Sequence, residues 1–195
     1  RAFLGGGGGG GHQNDNRGTG GMRGGGMVFI GATVFDGRSH SITAAGAPQT
    51  IVAGNDGGGG GGAGGTICFI VDTVLSPVTL RVNGGKGGDV DNDNNSTQCH
   101  GPGGGGSGGA IWHSGSTLPS LVVTETSGGV SGMTVKYPSP CLNTADGALD
   151  GGPGIVRQDL AVSRFDFSAA VLTLQLPDTI FLCPDSCARL RGTVA

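Results

Sequence analysis

A glycine run that leads straight into a short apolar strand is written three times in this chain, near 24–30, 57–71 and 103–112. Met27-Val28-Phe29-Ile30, Thr66-Ile67-Cys68-Phe69 and Ala110-Ile111-Trp112-His113 open the copies. A second β-like segment follows each at a nearly constant offset: Ser41-Ile42-Thr43, Thr79-Leu80-Arg81-Val82 and Leu121-Val122-Val123-Thr124. Self-similarity with a spacing of about 40 residues marks a solenoid or stacked array.

Without that period, 45 glycines and 9 prolines in 195 residues would read as low-complexity disorder. Helix is disfavoured because the strong helix formers are scarce: Glu125 is the single glutamate, and Lys86 and Lys136 are the only lysines. Val, Ile, Thr and Leu fill the segments between glycines instead. The expected fold is all-β, with repeated solenoid-like strands combined with polyglycine-II helices and little or no α-helix. Residues 1–132 form the glycine-rich repeat domain, with strands near 27–46, 66–85 and 110–129. A β-rich capping extension follows at 133–178 and a tail at 179–195. Asp150-Gly151-Gly152-Pro153-Gly154 is expected as a turn, and Phe165-Asp166-Phe167 and Val171 to Leu176 as alternating strands.

Flexible linkers mix serine into their glycine, whereas runs such as 5–11 here lead directly into hydrophobic strands. A polyproline-II-type glycine helix makes no internal hydrogen bonds, so its backbone must bond to neighbours or water. Only glycine lets such helices approach on every side. Ordering each residue costs on the order of 1–2 kcal/mol, so lateral bonds must offset that cost and a lone repeat is expected to be unstable. Ile67-Cys68-Phe69-Ile70-Val71 is continuously apolar, as suits a strand covered on both faces. Phe29, Phe69 and Trp112 are expected to stack as an aromatic row, and Asn14-Asp15-Asn16 and Asn55-Asp56-Gly57 to make turns.

The net charge of −3 with scattered arginines argues against nucleic acid, and the apolar runs are too short for membrane insertion. Arg1-Ala2-Phe3-Leu4 does not read as a signal peptide, so the chain is expected to have lost a leader or to be a piece of a longer polypeptide. Five cysteines leave at least one unpaired within the chain. Cys183 and Cys187 are the best-placed disulfide pair, and Cys68 reads as a buried apolar residue in its strand.

Asp89, Asp91 and Asp93 stand at the alternating spacing with which a curled loop gathers oxygens around calcium, the one cofactor the sequence suggests. An EF-hand would have glycine and glutamate where Asn94 and His100 stand, and a solvated turn is the competing reading. Ser107 sits in a formal nucleophile-elbow match that arises from glycine composition alone. Cys99-His100 with His12 or His113 lacks the ligand spacing of a zinc site, and a disulfide or free thiol beside a turn histidine fits better. Asn94 and Asn95 match glycosylation acceptors.

His12 to Asn16, then Gly18-Thr19-Gly20-Gly21 and the glycine-led strand at Met27, resemble the glycine-rich regions of large surface proteins of Bacteroidota, including gliding-motility adhesin-like and type 9 secreted proteins. Val82 to Gly88 and Gly101 to Trp112 carry the resemblance to about residue 132. The segment from Leu176 to Leu190 is similar to the opening strands of the Ig-like repeats that follow such regions, but has Cys187 where a valine-like residue is usual. The resemblance implies secretion, surface display, and a role in adhesion, filaments or gliding. It also implies that Asp72-Thr73-Val74 and Asp178-Thr179-Ile180 are O-glycosylation phrases, acting at Thr73 and Thr179.

A non-enzymatic extracellular building block is therefore expected, an adhesin module or filament subunit whose strand edges and glycine faces let copies self-associate into a fibre or array. A module binding surface glycans or ice is the alternative, although Thr33, Thr43 and Thr50 do not follow the period. A β-solenoid polysaccharide lyase comes third, with only Arg81, Asp72 and Lys86 to serve it.

Overall fold

The computed structural model describes residues 2–92, 97–136 and 139–161, together with the short strands Leu172–Thr173 and Thr193–Val194. Two compact units divide the chain, Arg1–Ala161 and Val162–Ala195. In the second, β8 (Leu172–Thr173) pairs antiparallel with β9 (Thr193–Val194). The rest of the expected Ig-like tail, the Cys183 and Cys187 pair, Thr179 and Phe165-Asp166-Phe167 lie outside the described residues.

The first unit is all-β, with no α-helix among its described residues. Its strands are β1 (Met27–Thr43), β2 (Ala53–Gly54), β3 (Thr66–Arg81), β4 (Val90–Asp91), β5 (Ala110–His113), β6 (Val122–Glu125) and β7 (Ile155–Arg157). Every pairing among them is parallel. Met27, Thr66, Ala110 and Ile155 stand abreast across β1, β3, β5 and β7, and the next residues keep that register. A shared register at the start of each copy is what the sequence repeat demands. The fourth strand, β7, extends the sheet into the region assigned from sequence to a capping extension.

β1 and β3 each bend midway. Phe35 pairs with Val74, Asp36 with Ser76 and His40 with Val78, so the register shifts around residues 36–40. Arg38 and Ser39 take φ values of 46° and 60° there, a left-handed conformation uncommon for such residues. The bend is tied by Arg38 Nε to Asp36 at 3.0 Å and by the Arg38 amide donating to Ser76 Oγ at 2.6 Å. The first legs of the strands therefore lie in one layer and the second legs in another. Ile67, Phe69, Val71 and Ile111 come from the first legs, and Val78, Leu80 and Val122 from the second, to form one core. Burial of each large side chain contributes roughly 1.5–3 kcal/mol.

The expected aromatic row does not form. Phe29 pairs with Cys68 and Cys68 with Trp112, whereas Phe69 pairs with Ile30 and His113. Phe69 is thus one residue out of step, and in a strand one residue moves a side chain to the opposite face. It sits in the core edge-on to Phe35 at 5.5 Å, while Phe29 is exposed. Thr66, Ile67, Cys68 and Phe69 are all buried, as a strand covered on both faces requires.

Glycine segments run between the strands. Four go forward into a first leg (19–25, 57–65, 103–109, 151–154), three return from a second leg (44–49, 82–88, 126–132), and a leading segment (5–11) precedes them all. The 57–65 segment shows their bonding. Gly57, Gly60 and Ala63 donate to the carbonyls of His12, Gly9 and Gly6 at 2.8–2.9 Å, in the leading segment and its end. Gly58, Gly61 and Gly64 donate to Gly101, Gly104 and Ser107 at 2.8–2.9 Å, and Gly62 and Gly65 donate to Ala47 and Ala44. Thr19 Oγ1 accepts from Gly59 at 2.8 Å and completes the third series. Each series has a step of three residues.

Forward segments lie parallel to one another, while return segments run against them, as in Gly85 to Gly62 and Gly88 to Gly59 at 2.8 Å. The segment at 151–154, expected as a turn, belongs to this array: Gly151 donates to Gly129 and Gly154 to Thr126. Glycine here serves close approach rather than turning, since Gly147 is the one described glycine with positive φ. A Cβ on Gly64 would lie 1.9 Å from the Val82 carbonyl oxygen.

Candidate functional site

The most elaborate polar arrangement surrounds Asp56, which opens the 57–65 segment. Its fully buried carboxylate accepts four backbone N–H groups: Asn14 on Oδ1 at 3.0 Å, and Asp15, Arg17 and Gly18 on Oδ2 at 3.0–3.2 Å. Asn55 Nδ2 adds a bond to Asp15 Oδ2 at 2.9 Å. Asn16 and Asn55 take the left-handed φ values of 60° and 52° that the reversal needs. The loop that turns the leading segment into the first forward segment is thereby wound around one anion. Asn55-Asp56 was legible as a turn, but that it gathers a loop some 40 residues away was not, because a buried anion and a turn carboxylate look alike in sequence.

Four donors to one carboxylate favour its ionised form. The backbone N–H of Asn14, and then those of Arg17, Asp15 and Gly18, hold Asp56 below the ordinary value of 3.8 against the opposing effect of burial. Asp36 is lowered in the same direction by the Ser76 hydroxyl and then by Arg38. A carboxylate with a depressed folded-state pKa contributes stability that is complete above 3.8 and is lost as pH falls through the lower native value. The melting temperature should therefore drop in acid below that point, and less steeply in Asp56→Ala, whose melting temperature at pH 7 should already be lower by several degrees. Thermal melts of both proteins across pH 2–7 test this; parallel profiles would show that Asp56 does not carry the effect.

The sequence-derived candidates are dispersed. Asp89 meets Lys86 Nζ at 2.5 Å and accepts the Met133 amide at 3.0 Å, while Asp91 meets Lys136 Nζ at 3.0 Å. A calcium ion gathered by these two would have to displace both lysines; Asp93, the third expected ligand, lies outside the described residues. Thr73 is exposed on β3, opposite Val34 of β1, so a modifying enzyme has access to it. Ser107 is exposed in its glycine segment. His113 is buried, its Nδ1 held 3.0 Å from the Phe69 carbonyl, an arrangement that packs rather than reacts.

Cys99 and Cys141 form a disulfide, which brings together two loops at one end of the array. From sequence the Cys99-His100 pair fits a disulfide or a free thiol, but spacing alone does not reveal which loops stack and so does not name the partner. Asp146 lies beside the two sulfurs, yet sulfurs joined to each other supply no thiolate for a metal. Cys68 is free and buried, and burial pushes its thiol above the ordinary value, as expected of a small core residue rather than a nucleophile.

A broad groove opens between the 57–65 and 103–109 segments, beside the leading segment. Its volume is ≈ 360 Å³, and glycines with Pro102 line it throughout. It offers backbone amides and carbonyls, and no titratable group. No helix among the described residues is long and apolar enough to cross a membrane. No family model, curated protein or solved structure matches the chain.

Proposed function

We propose that this protein is an extracellular structural building block, an adhesin module or surface filament subunit, whose repeats stack as a solenoid of bent strands and polyglycine-II helices. The observation that supports the reading is the in-register stacking of successive copies, which leaves backbone edges open. Among the described residues β1 pairs on one side alone, with β3, and β7 on one side alone, with β5. An edge of unpaired amides and carbonyls is a template for another chain. A disulfide between loops also accords with an oxidising compartment. The purified full chain imaged by negative stain over rising concentration should show fibres, rows or other regular assemblies. Dispersed monomers at the highest concentration would remove the support for a structural role.

A further inference from the structure

The leading segment fills a groove between the first two forward segments, and its bonds define what such a groove offers. It donates from Gly5, Gly8 and Gly11 to the carbonyls of Gly25, Met22 and Thr19. It accepts, at Gly6, Gly9 and His12, from Ala63, Gly60 and Gly57. One round further on, the strand register makes Gly58, Gly61 and Gly64 the equivalents of Thr19, Met22 and Gly25. By the same register Gly104 and Ser107 are the equivalents of Gly60 and Ala63.

These are the groups left without partners. Among the described residues no backbone bond is donated to the carbonyls of Gly58, Gly61 or Gly64, and none is made by the amides of Gly104 or Ser107. The second groove thus repeats the unfilled bonding pattern of the first, with the same spacing and polarity. Three of the glycines flanking it, Gly9, Gly10 and Gly104, have no steric reason within one chain to lack side chains. A Cβ on Gly9 or Gly10 would meet nothing within 4 Å, and one on Gly104 would reach only the Leu149 carbonyl oxygen at 3.4 Å. Ordering such residues is costly, and the close approach that explains most glycines of the array is missing at these three positions.

We propose that this groove is an interface, and that its occupant is the leading segment of a second copy of the chain; the proposal rests on the building-block reading above. The geometry closes as a two-fold dimer. The leading segment projects from the layer of forward segments, and the groove beside it is recessed. A two-fold axis parallel to the glycine segments places each projection in the other's recess. It also keeps each antiparallel to the forward segments it meets, as the leading segment already is within its own chain. Such an interface is isologous, using one surface twice. Each leading segment keeps its own intrachain bonds and turns its bare outer side to the partner.

Side chains introduced on either wall should block the interface without disturbing the monomer. Gly9→Leu and Gly104→Leu in the full chain should keep the native melting temperature and circular dichroism. In sedimentation equilibrium the native chain should give twice the 19.0 kDa monomer mass, and each variant should dimerise at least about tenfold more weakly. The two substitutions approach from opposite walls, so misfolding of one leaves the other as the test. Variants that assemble as the native chain does would overturn the groove while leaving the building-block reading in place. A native chain that stays monomeric in the centrifuge and dispersed on the grid would overturn both.

Discussion

Gly61→Ala is expected to destabilise the protein by about 5 kcal/mol, about a third or more of the roughly 5–15 kcal/mol that holds a domain folded. A Cβ at that position would lie 2.0 Å from the Gly85 carbonyl oxygen, and Gly85 is backbone within the facing segment. Nothing flexible can move aside, so the 57–65 and 82–88 segments must separate. Overpacking of this kind costs roughly 1–3 kcal/mol. Separation also breaks the Gly85 to Gly62 and Gly88 to Gly59 bonds, and each donor left buried costs a further ~1–3 kcal/mol. Gly26→Ala is the matched control, because a Cβ there meets nothing within 4 Å. Denaturant melts of the two variants should differ widely; similar midpoints would mean that the segments are not so closely apposed.

The Cys99–Cys141 disulfide joins residues 42 apart in sequence. Closing a loop of that size in the unfolded chain is worth about 4 kcal/mol by loop-closure entropy. The double variant Cys99→Ser with Cys141→Ser should therefore melt far below the native protein, and reductant should bring the native protein down to the same level. Cys68 is not expected to substitute for either partner, since it is buried in the core strand with its thiol pushed upward. A reductant effect that persists undiminished in the double variant would place the stabilising link at Cys183 and Cys187 instead.

The repeat was legible because glycine runs and apolar strands differ so sharply in composition. Met27, Thr66 and Ala110 were aligned from sequence and do stand abreast. The face on which each side chain lies was harder to read, since it depends on a parity that composition does not reveal: Phe69 aligned within one residue of Phe29 and Trp112, yet points to the core. The fourth round is hidden in the sequence because its glycine segment is short, at 151–154, and is interrupted by Pro153. A turn and a brief extended segment use the same residues there, and only their neighbours distinguish them. The groove had no sequence signal at all, because an unfilled bonding position is made of the same glycine as a filled one.

Glycine segments bonded at every third residue present an almost uniform surface to their neighbours. Sliding one such segment along another by three positions exchanges each bond for an equivalent one, so these layers hold the chain together without dictating alignment. Alignment must come from the features that do not recur: the unequal strand side chains, the Asp56 carboxylate with its loop, and the link between Cys99 and Cys141. Because paired segments lie a full round apart in sequence, the chain must also close long loops before any of these markers can act. Slow maturation is the expected consequence, since only the irregular residues separate the native alignment from shifted ones.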